Sequence, residues 1–509
     1  MDRFAIGGIA VRQVPSAFRN KRVREVHALP LGWRHLTQVD IHQIKALIRQ
    51  QAAPGADLRS LECCLLLWSS LTTGRQPADL VKLTLRLAPK GERLADQLPG
   101  LIRRRGLWGW WLTAAAPSDQ RRDKAHVLPQ AACLYLPATQ TIARLVERCI
   151  AARRTLSSGR DHMSGARQPL FTIGPALIGD VTALLASRHP VTGDRARRAT
   201  TTPEALARWL PAELTGAPGG DIVPASIITG SIPTIGRSQS HYGAVPHRTL
   251  VDRYRGAIEA VDALSHYDVP GEALSSHLGD KFTPTDIAVA GLIRRLTEGL
   301  NDPDADAAER HLAMMRYTVA LLSFALAHRG DAGTMPSKAQ VHGETRLCWI
   351  RDKVIRGKSS RRMVWVCDTA FDQLQRYDHH LDLLQTIVSP PAASAIKALR
   401  CGRNVALFDM RDGRVEHWSV ADAVKDTMRQ GGLDKNAGRH WLRSKLVGRC
   451  STETLHAFYG HGPVEDGSWD SGSALDPAAY RADLGRVLDP VLNAIDWIPR
   501  SVGEQVPVA

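Results

Sequence analysis

The sequence has 509 residues, with 66 lysines and arginines against 51 aspartates and glutamates, which gives a net charge of +15. A chain of this length is expected to hold two to four domains, and an apolar content of 44% excludes a chain that is disordered throughout. The basic balance favours an anionic partner, and nucleic acid is the first expectation, although basic chains with surplus arginine also occur without that function.

The eight cysteines are scattered, form no Cys-x-x-Cys pair, and in places lie in apolar runs such as residues 63–67. This pattern indicates reduced, buried thiols rather than a disulfide framework or a zinc site. The sequence contains neither an apolar run of about 18 residues nor a signal-peptide core. We therefore expect a soluble, cytoplasmic protein with no membrane partner.

The first half alternates helical patterns with short strands. Residues 1–38 are basic and contain several prolines, which indicates either a DNA-contacting arm or an unstructured tail. Apolar residues recur at helical spacing from residue 40, and residues 57–72 predict a mainly buried helix that ends at Thr73-Gly74-Arg75. The pattern then predicts a strand at 134–137, helices at 139–152, 205–215 and 249–264, and loops at 155–168, 187–202 and 216–243.

The second half has the same order of patterns. An apolar helix at 315–327 ends in His328-Arg329-Gly330. Strands at 347–350 and 363–366 predict a hairpin whose turn carries Lys353 and Lys358. A helix at 369–384, a linker rich in proline and alanine, a strand at 405–408, a helix opened by Arg439-His440, a short helix closed by Gly460-His461, and a helix at 478–492 follow.

Three short motifs recur between the halves at similar offsets. Arg-Asp-Lys at 122–124 recurs after 229 residues, Trp-Leu at 209–210 after 232, and Tyr-Arg at 254–255 after 226. These offsets indicate an internal duplication of one domain. The alternative is one long domain preceded by an unrelated half.

Arg329 after an apolar helix, Arg439-His440 at a helix start and Gly460-His461, with His461 22 residues after Arg439, together resemble the boxes of the tyrosine recombinases. That integrase family cuts and rejoins DNA through a 3′-phosphotyrosine. The resemblance implies a mixed α/β, mainly α catalytic domain, with helices around a small antiparallel sheet and an additional helical DNA-binding domain. It also implies double-stranded DNA as the partner, a homo-oligomer (a tetramer) on DNA, and no metal or other cofactor.

The resemblance assigns roles to four residues. Arg329 and Arg439 would bind the scissile phosphate, since a guanidinium can contact two phosphate oxygens at once and does not deprotonate. His461 would donate to a nonbridging oxygen. Lys353 would protonate the leaving 5′-oxygen, and Lys358 in the same loop is its competitor.

The nucleophile departs from the family's pattern. The family's tyrosine follows the histidine by about nine residues, where this sequence has Asp470, and the first tyrosine downstream is Tyr480. Tyr480 is the predicted nucleophile, and Tyr459 is the next candidate, although it precedes the histidine. Asn436 stands where the family usually has a histidine, which weakens proton transfer at that position.

We therefore divide the chain into a basic arm at 1–38, a degenerate recombinase-like domain at 39–244, a helical core-binding-like segment at 245–310 and a catalytic domain at 311–509. The alternative for 245–310 is a plain helical linker that does not contact DNA. The first copy keeps Arg75 and Lys124 but has Gly230-Ser231 in place of Gly-His, so it is not expected to cut DNA.

The resulting hypothesis is a site-specific DNA recombinase, or integrase, of a mobile element. Two alternatives stay open, namely a catalytically inactive recombinase-like DNA-binding accessory protein, and an unrelated helical scaffold in which the predicted site residues do not converge.

Overall fold

The computed structural model describes residues 36–503 with several gaps. The description omits 88–97, 115–125, 157–167, 188–201, 218–219, 232–241, 331–333, 356–357, 403, 461–467, 470–472 and 474, and the side chains of 272 and 352–360. The predicted arm, Lys124 and His461 thus lie outside the described residues, except for residues 36–38 at the end of the arm.

The described residues form two lobes, each with its own hydrophobic core. The core of the first lobe runs from Leu36 to Leu278, and that of the second runs from Val289 to Trp497. The segment 245–310 is divided between them, because Leu250 and Tyr254 belong to the first core whereas Leu292 belongs to the second. The mixed α/β, mainly helical class is confirmed.

The first lobe surrounds one apolar helix with further helices and a five-stranded sheet. Its sheet has the order β4-β3-β2-β1-β5, with β1 and β2 parallel and the other pairs antiparallel. Its elements are α1 Gln38–Gln51, α2 Leu58–Thr73, α3 Pro77–Leu80, β1 Thr84–Leu87, β2 Gly100–Arg104, β3 Leu107–Thr113, β4 Cys133–Pro137, α4 Gln140–Leu156, β5 Gln168–Pro169, α5 Ala176–Ser187, α6 Pro203–Gly216, α7 Ile222–Thr229, β6 Ala244–Pro246, α8 His247–Ile258, α9 Gly271–Leu274 and β7 His277–Gly279.

The second lobe is also built around an apolar helix, with two antiparallel hairpins, β8-β9 and β10-β11, at its surface. Its elements are α10 Asp286–Leu300, α11 Ala307–Ala325, a 3₁₀ turn Lys338–Gln340, β8 Leu347–Ile355, β9 Lys358–Trp365, α12 Asp368–Ile387, α13 Pro390–Arg400, β10 Phe408–Arg411, β11 Arg414–His417, α14 Val420–Gln430, α15 Ala437–Leu446, α16 Thr452–Tyr459, α17 Pro477–Gly485 and α18 Leu488–Asn493.

The central helices α2 and α11 occupy corresponding places. Helix α2 packs on α4 and α6, and α11 packs on α12 and α15, which follow in the same order along the chain. The helices α7 and α16 that come next both end at a left-handed glycine, Gly230 with φ 69° and Gly460 with φ 63°. The internal duplication stays a prediction, and this correspondence agrees with it.

Four expectations about local structure were wrong. Residues 222–229 are helical within the predicted loop, because Asp221 caps the first turn and Gly230 ends it. The expected proline-rich linker is helix α13, whose two prolines lie in the first turn where proline is tolerated. The strand expected at 405–408 begins only at Phe408, where it forms β10. The helix expected at 478–492 is interrupted, since Pro490 cannot continue a preceding helix.

Gly438 allows α15 to approach α11 closely. A Cβ atom there would lie 2.7 Å from the Ser323 carbonyl oxygen and 2.9 Å from the Phe324 amide nitrogen, and backbone atoms cannot move aside alone. We expect Gly438→Ala to lower the free energy of unfolding by about 1–3 kcal/mol in urea titrations, as overpacking does. Gly291→Ala, in helix α10 with open space around it, is the control and is expected to stabilise by about 0.5–1 kcal/mol. Equal effects of the two substitutions would contradict the close approach.

Candidate active site

Arg439 lies in the first turns of α15 and points into the second lobe, where its side chain is fully buried. Its Nη1 donates to the carbonyl of Ala327 at 2.9 Å, and its Nη2 donates to the carbonyl of Tyr459 at 2.5 Å. The guanidinium therefore ties together the chain after α11 and the last residue of α16. The two ends it joins are the segments that carry Arg329 and His461 in the sequence.

A second buried arginine, Arg362 on β9, contacts the same two chain ends. Its Nη2 donates to the carbonyls of Leu326 at 2.9 Å and Ala327 at 3.0 Å, and its Nη1 donates to the carbonyl of Phe458. No motif in the sequence pointed to Arg362 as a site residue. A signal existed, because Arg362 shares the inward face of its strand with Val364 at the period of two.

The segments of both predicted phosphate-binding arginines are adjacent. The backbone amide of Gly330 donates to Asn436 Oδ1 at 3.0 Å, so the residue after Arg329 is bonded to the turn before Arg439. The Arg329 side chain is partly buried. The structure thus brings together residues 327–330, 436–439 and 459–460, which are far apart in sequence.

The lysine hairpin adjoins this region, but its geometry differs from the prediction. Lys353 is not in the turn: it lies within β8, where its backbone pairs with Ser360 after an irregularity that begins at Arg351. Both strands are longer than predicted, since β8 continues to Ile355 and Lys358 opens β9. The amide of Arg351 donates to Thr334 Oγ1 at 2.6 Å, which connects β8 to the chain that follows Arg329.

Tyr480 lies in the first turn of α17 with only 1% of its surface exposed. Its hydroxyl donates to the carbonyl of Met363 at 3.1 Å, and its ring packs edge-on against Trp469. Burial raises the pKa of Tyr480 well above its ordinary value, and the positive charge of Arg362 offsets this only in part. Tyr480 is therefore neutral and shielded in this state.

The other candidate tyrosine is also enclosed. Tyr459 is fully buried, and burial raises its pKa well above the ordinary value despite the nearby Arg443 and Arg439. Its ring lies 4.9 Å from the guanidinium carbon of Arg439. Tyr459 thus acts as packing beneath the arginine, and its backbone carbonyl, rather than its hydroxyl, meets the guanidinium.

The first lobe also covers Arg439. The ring of Tyr242 lies 4.9 Å from the Arg439 guanidinium carbon and 4.8 Å from the ring of His440. His440 is buried, and its Nδ1 lies 2.7 Å from the Asp280 carboxylate of the first lobe. No sequence pattern indicated Tyr242, since its approach depends on how the lobes meet.

Helix α15 is the joint between the lobes. Arg443, one helical turn after Arg439, forms a two-point ion pair with Asp221 at 2.8 and 2.9 Å, and both side chains are buried. Burial disfavours charge on Arg443, but the Asp221 carboxylate outweighs it and raises the pKa of Arg443. Within the second lobe, Lys445 of the same helix forms an ion pair with Asp286 of α10 at 2.6 Å.

Among the residues that the structure describes, no group of histidine, cysteine and carboxylate side chains could hold a metal ion. No described helix has the length and apolar character needed to cross a membrane. All eight cysteines are free thiols. No protein-family model, curated protein or solved structure matches the chain.

Proposed function

We propose that this chain is a DNA strand transferase of the tyrosine-recombinase type, which breaks and rejoins duplex DNA through a phosphotyrosine. The observation that carries the proposal is the convergence of residues 327–330, 436–439 and 459–460 around Arg439 and Arg362. An unrelated helical scaffold gives no reason for this convergence.

The electrostatics of the region suit a phosphodiester. Two buried guanidiniums, those of Arg362 and Arg439, donate to backbone carbonyls and place positive charge in this region. A phosphoryl-transfer transition state spreads negative charge over its oxygens, and fixed cationic donors stabilise that charge. Arg329 and His461, on the segments tied by Arg439, would contact the phosphate directly, and the net charge of +15 favours the DNA polyanion.

In the proposed reaction, Tyr480 Oη gives its proton to solvent water and forms a bond to phosphorus. The bond between phosphorus and the 5′-oxygen breaks, and this oxygen takes a proton from Lys353 or Lys358. The reverse sequence, with a different 5′-hydroxyl, rejoins the strand. Attack requires that Tyr480 first exchanges its bond to the Met363 carbonyl for contact with the phosphate, so the described state is a resting one.

One alternative keeps DNA binding without cleavage. Two observations favour an accessory DNA-binding protein. Tyr480 is buried, and Asn436, which stands at the family's histidine position, already accepts a hydrogen bond from the Gly330 amide. Both functions predict DNA affinity, and only the first predicts a covalent adduct.

The test uses nicked duplexes that span the ends of the element that carries the gene. We expect wild-type chain to form a covalent protein–DNA band on a denaturing gel and Tyr480→Phe to form none, because the phenol oxygen is the nucleophile. Tyr459→Phe is the matched control, since it removes a hydroxyl from an equally buried ring, and it should retain the band.

A band that persists in Tyr480→Phe but is lost in Tyr459→Phe would move the nucleophile to Tyr459. If none of the three proteins forms a band while native gels still report DNA binding, the accessory function is correct instead.

A further inference from the structure

The first lobe contains a partly buried arginine, Arg75, that the proposed reaction does not use. Arg75 follows α2 directly after Gly74, which is left-handed with φ 65°. Its Nη2 donates to the carbonyl of Thr113 at 2.8 Å. Its Nε is buried and has no hydrogen-bond partner among the described residues. One buried edge of this partly buried guanidinium thus keeps an N–H group that can still donate a hydrogen bond.

The surroundings of Arg75 are shaped to receive this guanidinium. It lies against Gly230, where φ is 69° and a Cβ atom would collide with the guanidinium carbon and both terminal nitrogens. Gly230 follows helix α7 as Gly460 follows α16. The arginine is therefore held against a glycine that cannot be replaced without displacing it.

The charge of Arg75 is poorly compensated. Burial lowers the pKa of Arg75 to about 10, and the Asp79 carboxylate opposes this only in part. Asp79 is largely exposed and forms an ion pair with Lys82 at 3.6 Å. An added anion would relieve the cost of burying the guanidinium, since opposite charge restores the charged form.

A cavity of about 400 Å³ opens beside this guanidinium. The cavity at Arg75 is also lined by Asp79, Lys82, Thr84 and Thr113, with Leu80, Leu83, Leu98, Pro99 and Leu112 completing its walls. Arginine and lysine converge on it, with one carboxylate that is already paired to the lysine. A group with several oxygens and a negative charge matches the fork of an arginine.

We propose that this cavity, with Arg75 and Lys82, is a phosphate-binding site that contacts the nucleic-acid backbone away from the reacting centre. The inference rests on the proposed function for the source of the phosphate, since the same chemistry would bind free inorganic phosphate. The first lobe would then add affinity for DNA without cutting it.

The test compares full-length wild type with Arg75→Met and Arg75→Lys. Dissociation constants for a fluorescent duplex are measured by anisotropy at several salt concentrations. We expect Arg75→Met to weaken binding by about tenfold and to reduce the slope of log K against log salt by about 0.9, because one phosphate contact is lost. Arg75→Lys should retain the slope because it keeps the charge.

Arg59→Met is the matched control, since Arg59 is an exposed arginine of the same lobe that is paired with Asp180 at 2.9 Å. It should leave the slope unchanged. An equal change in Arg59→Met would mean that any lost charge has this effect, and it would overturn the site. The site would also be overturned if both Arg75 variants kept the wild-type salt slope. That result is expected if Arg75 only supports the structure through its bond to Thr113.

Thermal unfolding with inorganic phosphate separates the two sources and does not depend on the proposed function. One outcome is that phosphate raises the unfolding temperature of wild type but not of Arg75→Met while the two proteins bind DNA equally. That combination would show that the cavity binds free phosphate and would overturn the nucleic-acid source. If wild type binds no DNA, the proposed function fails, and the phosphate experiment alone decides whether the cavity is a phosphate-binding site.

Discussion

We expect Asp221→Asn to lower the free energy of unfolding by about 3–5 kcal/mol. Both Asp221 and Arg443 are buried at the joint between the lobes, and the carboxylate meets two guanidinium nitrogens. Asparagine keeps an oxygen that can cap α7 at Val223, so the substitution removes mainly the charge. Urea unfolding followed by circular dichroism at pH 7 measures the loss.

The control is Asp180→Asn, which breaks the more exposed ion pair with Arg59 and is expected to change stability by less than about 1 kcal/mol. The double substitution Asp221→Leu with Arg443→Met should recover much of the loss, because an apolar pair leaves no charge buried. If Asp221→Asn is no more damaging than Asp180→Asn, the ion pair does not hold the lobes together.

The sequence predicted those elements that local periodicity determines. The continuous apolar run of α2 and the alternation along β9 are consistent with their element types, because a helix buried on all sides is apolar throughout and a strand with one buried face alternates. Ends were less accurate where a cap decides them: α11 begins at Ala307, eight residues before the predicted start, because Asp306 and Glu309 form a capping box.

The sequence indicated which residues belong to the candidate site, but it did not indicate which atoms those residues contact. Spacing along the chain indicated Arg439, yet nothing local indicates that its donors meet the carbonyls of Ala327 and Tyr459. Tyr242 approaches Arg439 only because the first lobe packs on α15, and such an approach depends on tertiary structure rather than on a motif. Arg443 could have been predicted from the sequence, since it lies four residues after Arg439 and residues four apart share a helix face.

These contacts change what Arg439 means for the proposed reaction. A guanidinium that is fully buried and bonded to two carbonyls acts first by fixing the segments that carry Arg329 and His461. Direct phosphate contact by Arg439 would require residues that bury it, such as Tyr242, to move aside. Helix α15 therefore does two things in the described state: it holds the segments of the candidate site together, and it joins the two lobes.

A stacked histidine pair should make the second lobe sensitive to acid. His311 is buried, its Nε2 lies 3.1 Å from the Phe408 carbonyl, and its Nδ1 lies 3.3 Å from His380 Nε2. Burial lowers the pKa of His311 to about 3 and that of His380 to about 4. The neighbouring charge of Asp409 favours the protonated His311 but does not overcome burial.

The sign follows from which state binds more protons. Unfolded histidine titrates near pH 6.5, whereas the folded pair stays neutral until much lower pH, so stability present above pH 6.5 is lost as the pH falls towards 4. Well below pH 6.5 each histidine contributes about 1.4 kcal/mol per pH unit, and because the unfolded histidines are only half protonated at pH 6.5, the pair should remove about 3 kcal/mol between pH 6.5 and 5. Urea unfolding at a series of pH values measures this slope.

His380→Phe isolates the effect, because phenylalanine preserves a flat ring against His311 and Tyr377 but cannot titrate. We expect the variant to be less stable at pH 7, since His311 loses a hydrogen-bond partner, and to have a slope smaller by about 1.4 kcal/mol per pH unit. A slope equal to that of wild type would mean that other groups cause the acid sensitivity, because the pair is then protonated as readily in the folded lobe as in the unfolded chain.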